Sequence, residues 1–170
     1  MKNKDQRVGV FFDVGNLYYS AKSLYKARVN FSEILKEAVS GRKLIRAIAY
    51  AIRSQGQEEE TFFDALKKSG IEVNLKDLQT FTSGVKKGNV DIDIAVDIMK
   101  LAPKLDAVVL VSGDGDFRIL LHHVKAEGCR VEVVSFKKST ATKLIEEVDG
   151  FTDLGENLKR YTIKKTSRKK

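Results

Sequence analysis

The two strongest strand candidates in this chain are continuous apolar runs rather than alternating ones. Val108 to Val111 is one; Val8-Gly-Val-Phe-Phe, leading into Asp13, is the other. Runs of this kind belong to strands buried on both faces, inside a parallel sheet. Residues 43–52, 71–75 and 130–135 supply three further strands. Between them, helical periodicity predicts helices over 16–25, 31–39, 58–68, 90–102, 117–127 and 140–148. Gly41, Gly70, Gly128 and the single proline, Pro103, stand where helices stop. Residues 80–89 have little periodicity and read as a surface loop, and 151–154 is a last short apolar piece. Strands alternating with helices predict a three-layer α/β/α architecture of Rossmann-like type. Its central sheet is mostly parallel, of five to six strands, with right-handed crossovers.

Composition narrows the class. At 170 residues, 42% hydrophobic and 32% charged, the chain reads as one globular domain with a self-sufficient core. No apolar run approaches the roughly 20 residues of a membrane span. A single cysteine, Cys129, excludes an internal disulfide framework. With no secretory h-region in view, the expected location is cytoplasmic. The net charge of +8 is unevenly placed: residues 159–170 carry seven positive charges and no negative ones, leaving 24 basic and 23 acidic side chains elsewhere. The expected organisation is a domain over 1–158 followed by a basic, flexible tail over 159–170. Such a tail suits contact with a phosphate backbone, or simply solubilises the end of the chain.

The candidate chemistry is acidic. Asp13 ends the first strand, and Ser112-Gly-Asp114-Gly-Asp116 follows the strand at 107–111. In open α/β sheets ligands bind beyond the carboxyl ends of the strands, so Asp13, Asp114 and Asp116 converge there if both strands are central. Crowded carboxylates call for a cation, and a divalent metal site is the first hypothesis. Asp91, in the first turn of the helix 90–102, points into that helix's apolar arc. It is either an N-terminal cap or a further ligand. On a helical wheel Asp93, Asp97 and Lys100 lie together on the opposite face, expected to be solvated, away from Ile92, Ile94, Val96, Ile98 and Met99. Asp114-Gly-Asp116 also resembles the opening of a calcium loop. That reading fails, because Arg118, Ile119 and Lys125 occupy positions needing an oxygen ligand, glycine and glutamate. Adjacent His122 and His123 are core or surface residues rather than zinc ligands. The absence of a Gly-x-x-x-x-Gly-Lys-Ser/Thr loop and of Gly-x-Gly-x-x-Gly leaves nucleotide cofactors without support.

Three segments carry a resemblance: Val-Phe-Phe-Asp13-Val-Gly-Asn16-Leu, Lys-Lys-Gly-Asn-Val-Asp91-Ile-Asp-Ile-Ala-Val-Asp97, and Val-Leu-Val-Ser112-Gly-Asp114-Gly-Asp116-Phe. In this order they resemble the NYN domains, and more closely the LabA-like (DUF88) branch, within the PIN-like nuclease superfamily. The resemblance runs from about Val8 to Leu154. It implies a PIN-like fold and a divalent-metal-dependent ribonuclease, in which Asp13, Asp91, Asp114 and Asp116 bind Mg²⁺ or Mn²⁺ and cleave RNA. Asn16 and Ser112 would give polar support, and Asp97 matches a further family aspartate. Lys86 and Lys87 would contact the RNA backbone or form an ordinary solvated loop. The rival reading is a non-catalytic RNA-binding or regulatory module acting through partners. A phosphatase or small-nucleotide hydrolase using the same pocket is a third. Analogy alone allows a homodimer.

Overall fold

The computed structural model describes residues 2–54, 57–84 and 86–164. Its centre is a six-stranded, wholly parallel sheet in the order β4-β3-β1-β7-β8-β9. The strands are β1 (Arg7–Asp13), β3 (Lys43–Arg53), β4 (Glu72–Asp77), β7 (Ala107–Val111), β8 (Arg130–Ser135) and β9 (Gly150–Asp153). Helices α1 (Val14–Tyr25), α2 (Phe31–Val39) and α3 (Gln57–Lys68) cover one face. Helices α4 (Asp91–Leu101), α5 (Arg118–Ala126) and α6 (Thr142–Glu147) cover the other. This is the three-layer α/β/α arrangement the sequence predicts. None of the described helices is long and apolar enough to cross a membrane.

Alternation along β1 divides the core in two. Val8, Val10 and Phe12 pack with Leu17, Ile34, Phe63 and Leu154 on the α1–α3 side. Phe11 packs with Ile48, Ile94, Leu110 and Leu121 on the α4–α6 side. By the same period of two, Asp13 follows Phe11 toward α4. From β1 the chain builds outward through β3 and β4, and from β7 it builds the other way through β8 and β9. The strand order therefore reverses between β1 and β7, where the crevice beyond the carboxyl ends of an open sheet is a binding position.

Two expectations need correction. The flexible tail does not begin at residue 159, because α7 (Leu158–Tyr161) and β10 (Thr162–Lys164) continue the fold. Tyr161 is buried, and β10 pairs antiparallel with β2 (Ala27–Val29). Arg160 reaches Glu33 at 3.0 Å and Glu37 at 2.9 Å, so part of the tail's positive charge is matched within the domain. The expected tail residues 165–170 lie outside the described residues. The loop expected over 80–89 contains one side of a hairpin, in which β5 (Gln79–Thr80) pairs with β6 (Lys86–Lys87).

Away from the sheet's carboxyl edge, Arg42 and Glu132 form a buried two-pronged ion pair at 2.7 and 3.1 Å. Arg42 also donates to the carbonyls of Ala38 and Val39, tying the end of α2 to β8. Burial alone would raise the Glu132 carboxyl, but Arg42, with Lys2 and Arg130 beside it, outweighs burial and holds the group below its ordinary range.

Candidate functional site

Asp13, Asp91 and Asp114 each bring a carboxylate oxygen to within 4.8 Å of the others at the strand reversal. They come from three elements: the end of β1, the first residue of α4 and the turn after β7. Asp13 is 6% exposed and doubles as the N-cap of α1. One of its oxygens accepts the Asn16 amide at 3.3 Å, and the other accepts the Ser112 hydroxyl at 3.0 Å. Ser112 in turn accepts the Asp114 amide at 3.2 Å, and the Asn16 side chain accepts the Gly113 amide at 2.9 Å. Asn16 and Ser112 thus stitch the end of β1 to the end of β7.

Gly113 allows this close approach. A Cβ there would lie 2.8 Å from the Ser139 carbonyl and 2.9 Å from both the Ser135 and Thr140 hydroxyl oxygens. The turn then closes as the Asp114 carboxylate accepts the Asp116 amide at 2.9 Å.

Asp91 is not the N-cap of its helix. The N-cap of α4 is Val90, and no side chain caps the helix. Asp91 has its own amide held by the Asn89 side chain at 2.7 Å. Its carboxylate, at the positive end of the helix dipole, is therefore free to face Asp13 and Asp114. Asn89 is a residue the sequence reading missed. The signal was an Asn two positions before a helix-opening Asp, a side-chain turn of known type.

The charges respond to this crowding. Burial, with the Asp91 and Asp114 carboxylates adding to it, pushes the Asp13 carboxyl up to about 6, even though the Ser112 and Asn16 donors pull it down. Burial and then the Asp114 and Asp116 charges raise the Asp91 carboxyl. No described lysine or arginine lies within ion-pair distance of these three aspartates.

The remaining candidates fall into place around the trio. Asp116 is exposed and outside it, near enough to raise Asp91. Asp97 does not lie on a solvated face. Its carboxylate accepts the hydroxyl of buried Tyr50 at 2.7 Å, and Tyr50 stands beside Asp13 in the β1–β3 register. Asp93 pairs with Lys76 at 3.1 Å. The helix is turned so that Ile94 and Ile98 are buried, while Ile92, Val96 and Met99 are 75, 43 and 46% exposed. His122 is exposed and bonds Glu147 at 2.7 Å; His123 is also exposed. The side chains of Lys86 and Lys87 lie outside the described part of the structure.

The NYN domain family model matches residues 7–155. The chain belongs to the NYN domain family. Among relatives of this NYN protein is the low amplitude and bright protein LabA of Synechococcus elongatus. The two are 28% identical over 99% of this chain and 93% of LabA. A crystal structure of a protein of unknown function, VPA0982 from Vibrio parahaemolyticus, superposes with a TM-score of 0.86 at 28% identity. That match covers 96% of this chain and 99% of the Vibrio protein, so the α/β/α frame is shared throughout. The NYN family lies within the PIN-like nuclease superfamily, and an acidic cluster at the strand reversal is what this member carries.

Proposed function

We propose that this NYN protein is a divalent-metal-dependent ribonuclease that hydrolyses RNA phosphodiester bonds at the carboxyl edge of its sheet. One observation carries the reading. Three carboxylates from three separate elements converge within 4.8 Å, without a matching cation among the described side chains. Like charges at that distance raise one another's pKa and destabilise the fold unless something positive shares the site. All the donors are hard oxygens, the set suited to Mg²⁺ or Mn²⁺ and unsuited to a soft metal. Asp13, Asp91 and Asp114 would hold such an ion, with Asp116 on the open side. When bound, the ion supplies an activated water and charge stabilisation at the phosphoryl group.

The chain's own residues have definite parts in this. Asn16 and Ser112 hold Asp13 and the 112–116 turn in one frame, which fixes the spacing of the carboxylates before any ligand arrives. Asp114 is restrained by its own turn and would share the ion with Asp13 and Asp91. Asp116, exposed and near enough to raise Asp91, would accept a proton from incoming water or release one to a leaving oxygen.

The test is cleavage of labelled RNA by wild type in Mn²⁺ or Mg²⁺, with and without EDTA, beside Asp13→Asn and Asp114→Asn. Cleavage lost in EDTA and in both variants is the expected result. RNA binding without cleavage, unchanged in both variants, would replace this reading with a non-catalytic binding module.

A further inference from the structure

The geometry points to a second recognition element on α1: a stacking platform, Tyr18 and Tyr19, for the bases of a single-stranded nucleic acid leading away from the acidic cluster. The two side chains are 47 and 68% exposed, although α1 has already completed its inward face with Val14, Leu17 and Ala21. Isolated exposed aromatics need no explanation. Two adjacent ones do, on a helix position where lysine or glutamate would serve helix formation better. Their rings meet edge to face, 5.2 Å between centroids at 83°, and Tyr19 is the more exposed of the two.

The surroundings favour a polyanion. From residue 14 to residue 32 the chain has no acidic residue but carries Lys22, Lys26 and Arg28, all exposed. The Lys22 ammonium lies 5.8 Å from the Tyr18 ring centre. Ser139 donates to Ser20 at 2.9 Å, holding against α1 the loop that carries exposed Lys137 and Lys138. Open aromatic faces interleaved with cations are how single strands are bound without sequence readout: bases stack, phosphates meet ammonium groups. A duplex hides its base faces and gains nothing from the tyrosines.

Position links this platform to the site. Asp13 caps α1, so Tyr18 and Tyr19 follow it by about 8–9 Å along the helix axis at 1.5 Å per residue. Between them Gly15 leaves open space where a side chain would stand, with nothing within 4 Å. A strand that crosses the carboxylates would meet no side chain at Gly15 on its way to the tyrosines. The direction of the strand rests on the cleavage reading above; the platform itself does not.

The experiment is fluorescence anisotropy in EDTA with short labelled single strands, RNA in one arm and DNA in the other, and a duplex of the same sequence. Wild type, Tyr18→Ala/Tyr19→Ala and Tyr18→Phe/Tyr19→Phe are compared, with thermal melts for each. Wild type is expected to prefer single strands, and the alanine variant to bind them about 5- to 150-fold more weakly for each stacked base lost. The phenylalanine variant keeps the rings and should keep the affinity, with the melts unchanged. Equal affinity of the alanine variant, an equal loss on duplex, or no binding of single strands by wild type would each overturn the platform. Parallel cleavage assays separate the two readings. Binding that depends on the tyrosines without any RNA cleavage would sink the nuclease and leave the platform. Cleavage and binding indifferent to the tyrosines would do the reverse.

Discussion

Replacing Asp13 by asparagine should stabilise the metal-free protein at neutral pH, although Asp13 is buried and accepts two hydrogen bonds. The reason is charge. A carboxyl moved from 3.8 to about 6 binds its proton more tightly in the folded state than in the unfolded one. Stability from this group is therefore highest below pH 4. It falls as pH rises from about 4 to about 6, and above that the full penalty remains. At 1.36 kcal/mol per pKa unit the penalty is about 3 kcal/mol. Asparagine removes it but weakens the bonds from Ser112 and Asn16, at a cost of about 1 kcal/mol. The net gain is about 2 kcal/mol, or about 4–8 °C in Tm for a chain of this size. Thermal melts in EDTA at pH 4, 6 and 7.5 measure it, and the gain should vanish or change sign at pH 4. With saturating Mn²⁺ the order should invert, because wild type then gains about 2.7 kcal/mol at a hundred times Kd. An Asp13→Asn protein less stable than wild type at pH 7.5 in EDTA, or a difference that ignores pH, would refute the argument that burial, with the neighbouring carboxylates adding to it, strains the Asp13 charge.

Asp114→Asn should lose at least about tenfold in Mn²⁺ affinity by calorimetry while melting within about 1 kcal/mol of wild type, since it removes an oxygen donor and a repulsion together; unchanged affinity would remove Asp114 from the metal set. Arg42→Ala should destabilise by about 1–3 kcal/mol in urea titrations, by leaving buried Glu132 with only Arg130 and Lys2 to compensate it, and the deficit should shrink in acid as Glu132 protonates. Gly113→Ala should cost about 1–3 kcal/mol, since the new methyl meets the Ser139 carbonyl at 2.8 Å; a melt matching wild type would mean that the 112–116 turn yields more easily than its contacts suggest.

How much of this was legible in advance depends on where each residue's partners lie. β7 coincides with its apolar run and β1 exceeds its own by one residue at each end, because a strand buried on both faces writes its limits into its own composition. β2 and β10, three residues each, exist only because they pair across more than 130 positions of sequence, and neither has a pattern of its own. Helix α4 makes the point within one element. It has apolar side chains on nearly every side, so only its charges could indicate which way it faces. The rule that charges face water turned it the wrong way. Asp97 faces inward because Tyr50 waits there with a hydroxyl to donate, and Asp93 lies against β4 because Lys76 does. Ile92, Val96 and Met99 take the solvent side by default. Asp91 escaped the error, since its place at the helix start points it along the edge of the sheet whichever way the helix is turned. Acidic residues at the ends of apolar elements could therefore be read directly. Those in mid-helix could not, because what orients them is a partner 47 residues away in Tyr50 or 17 in Lys76, outside any local window.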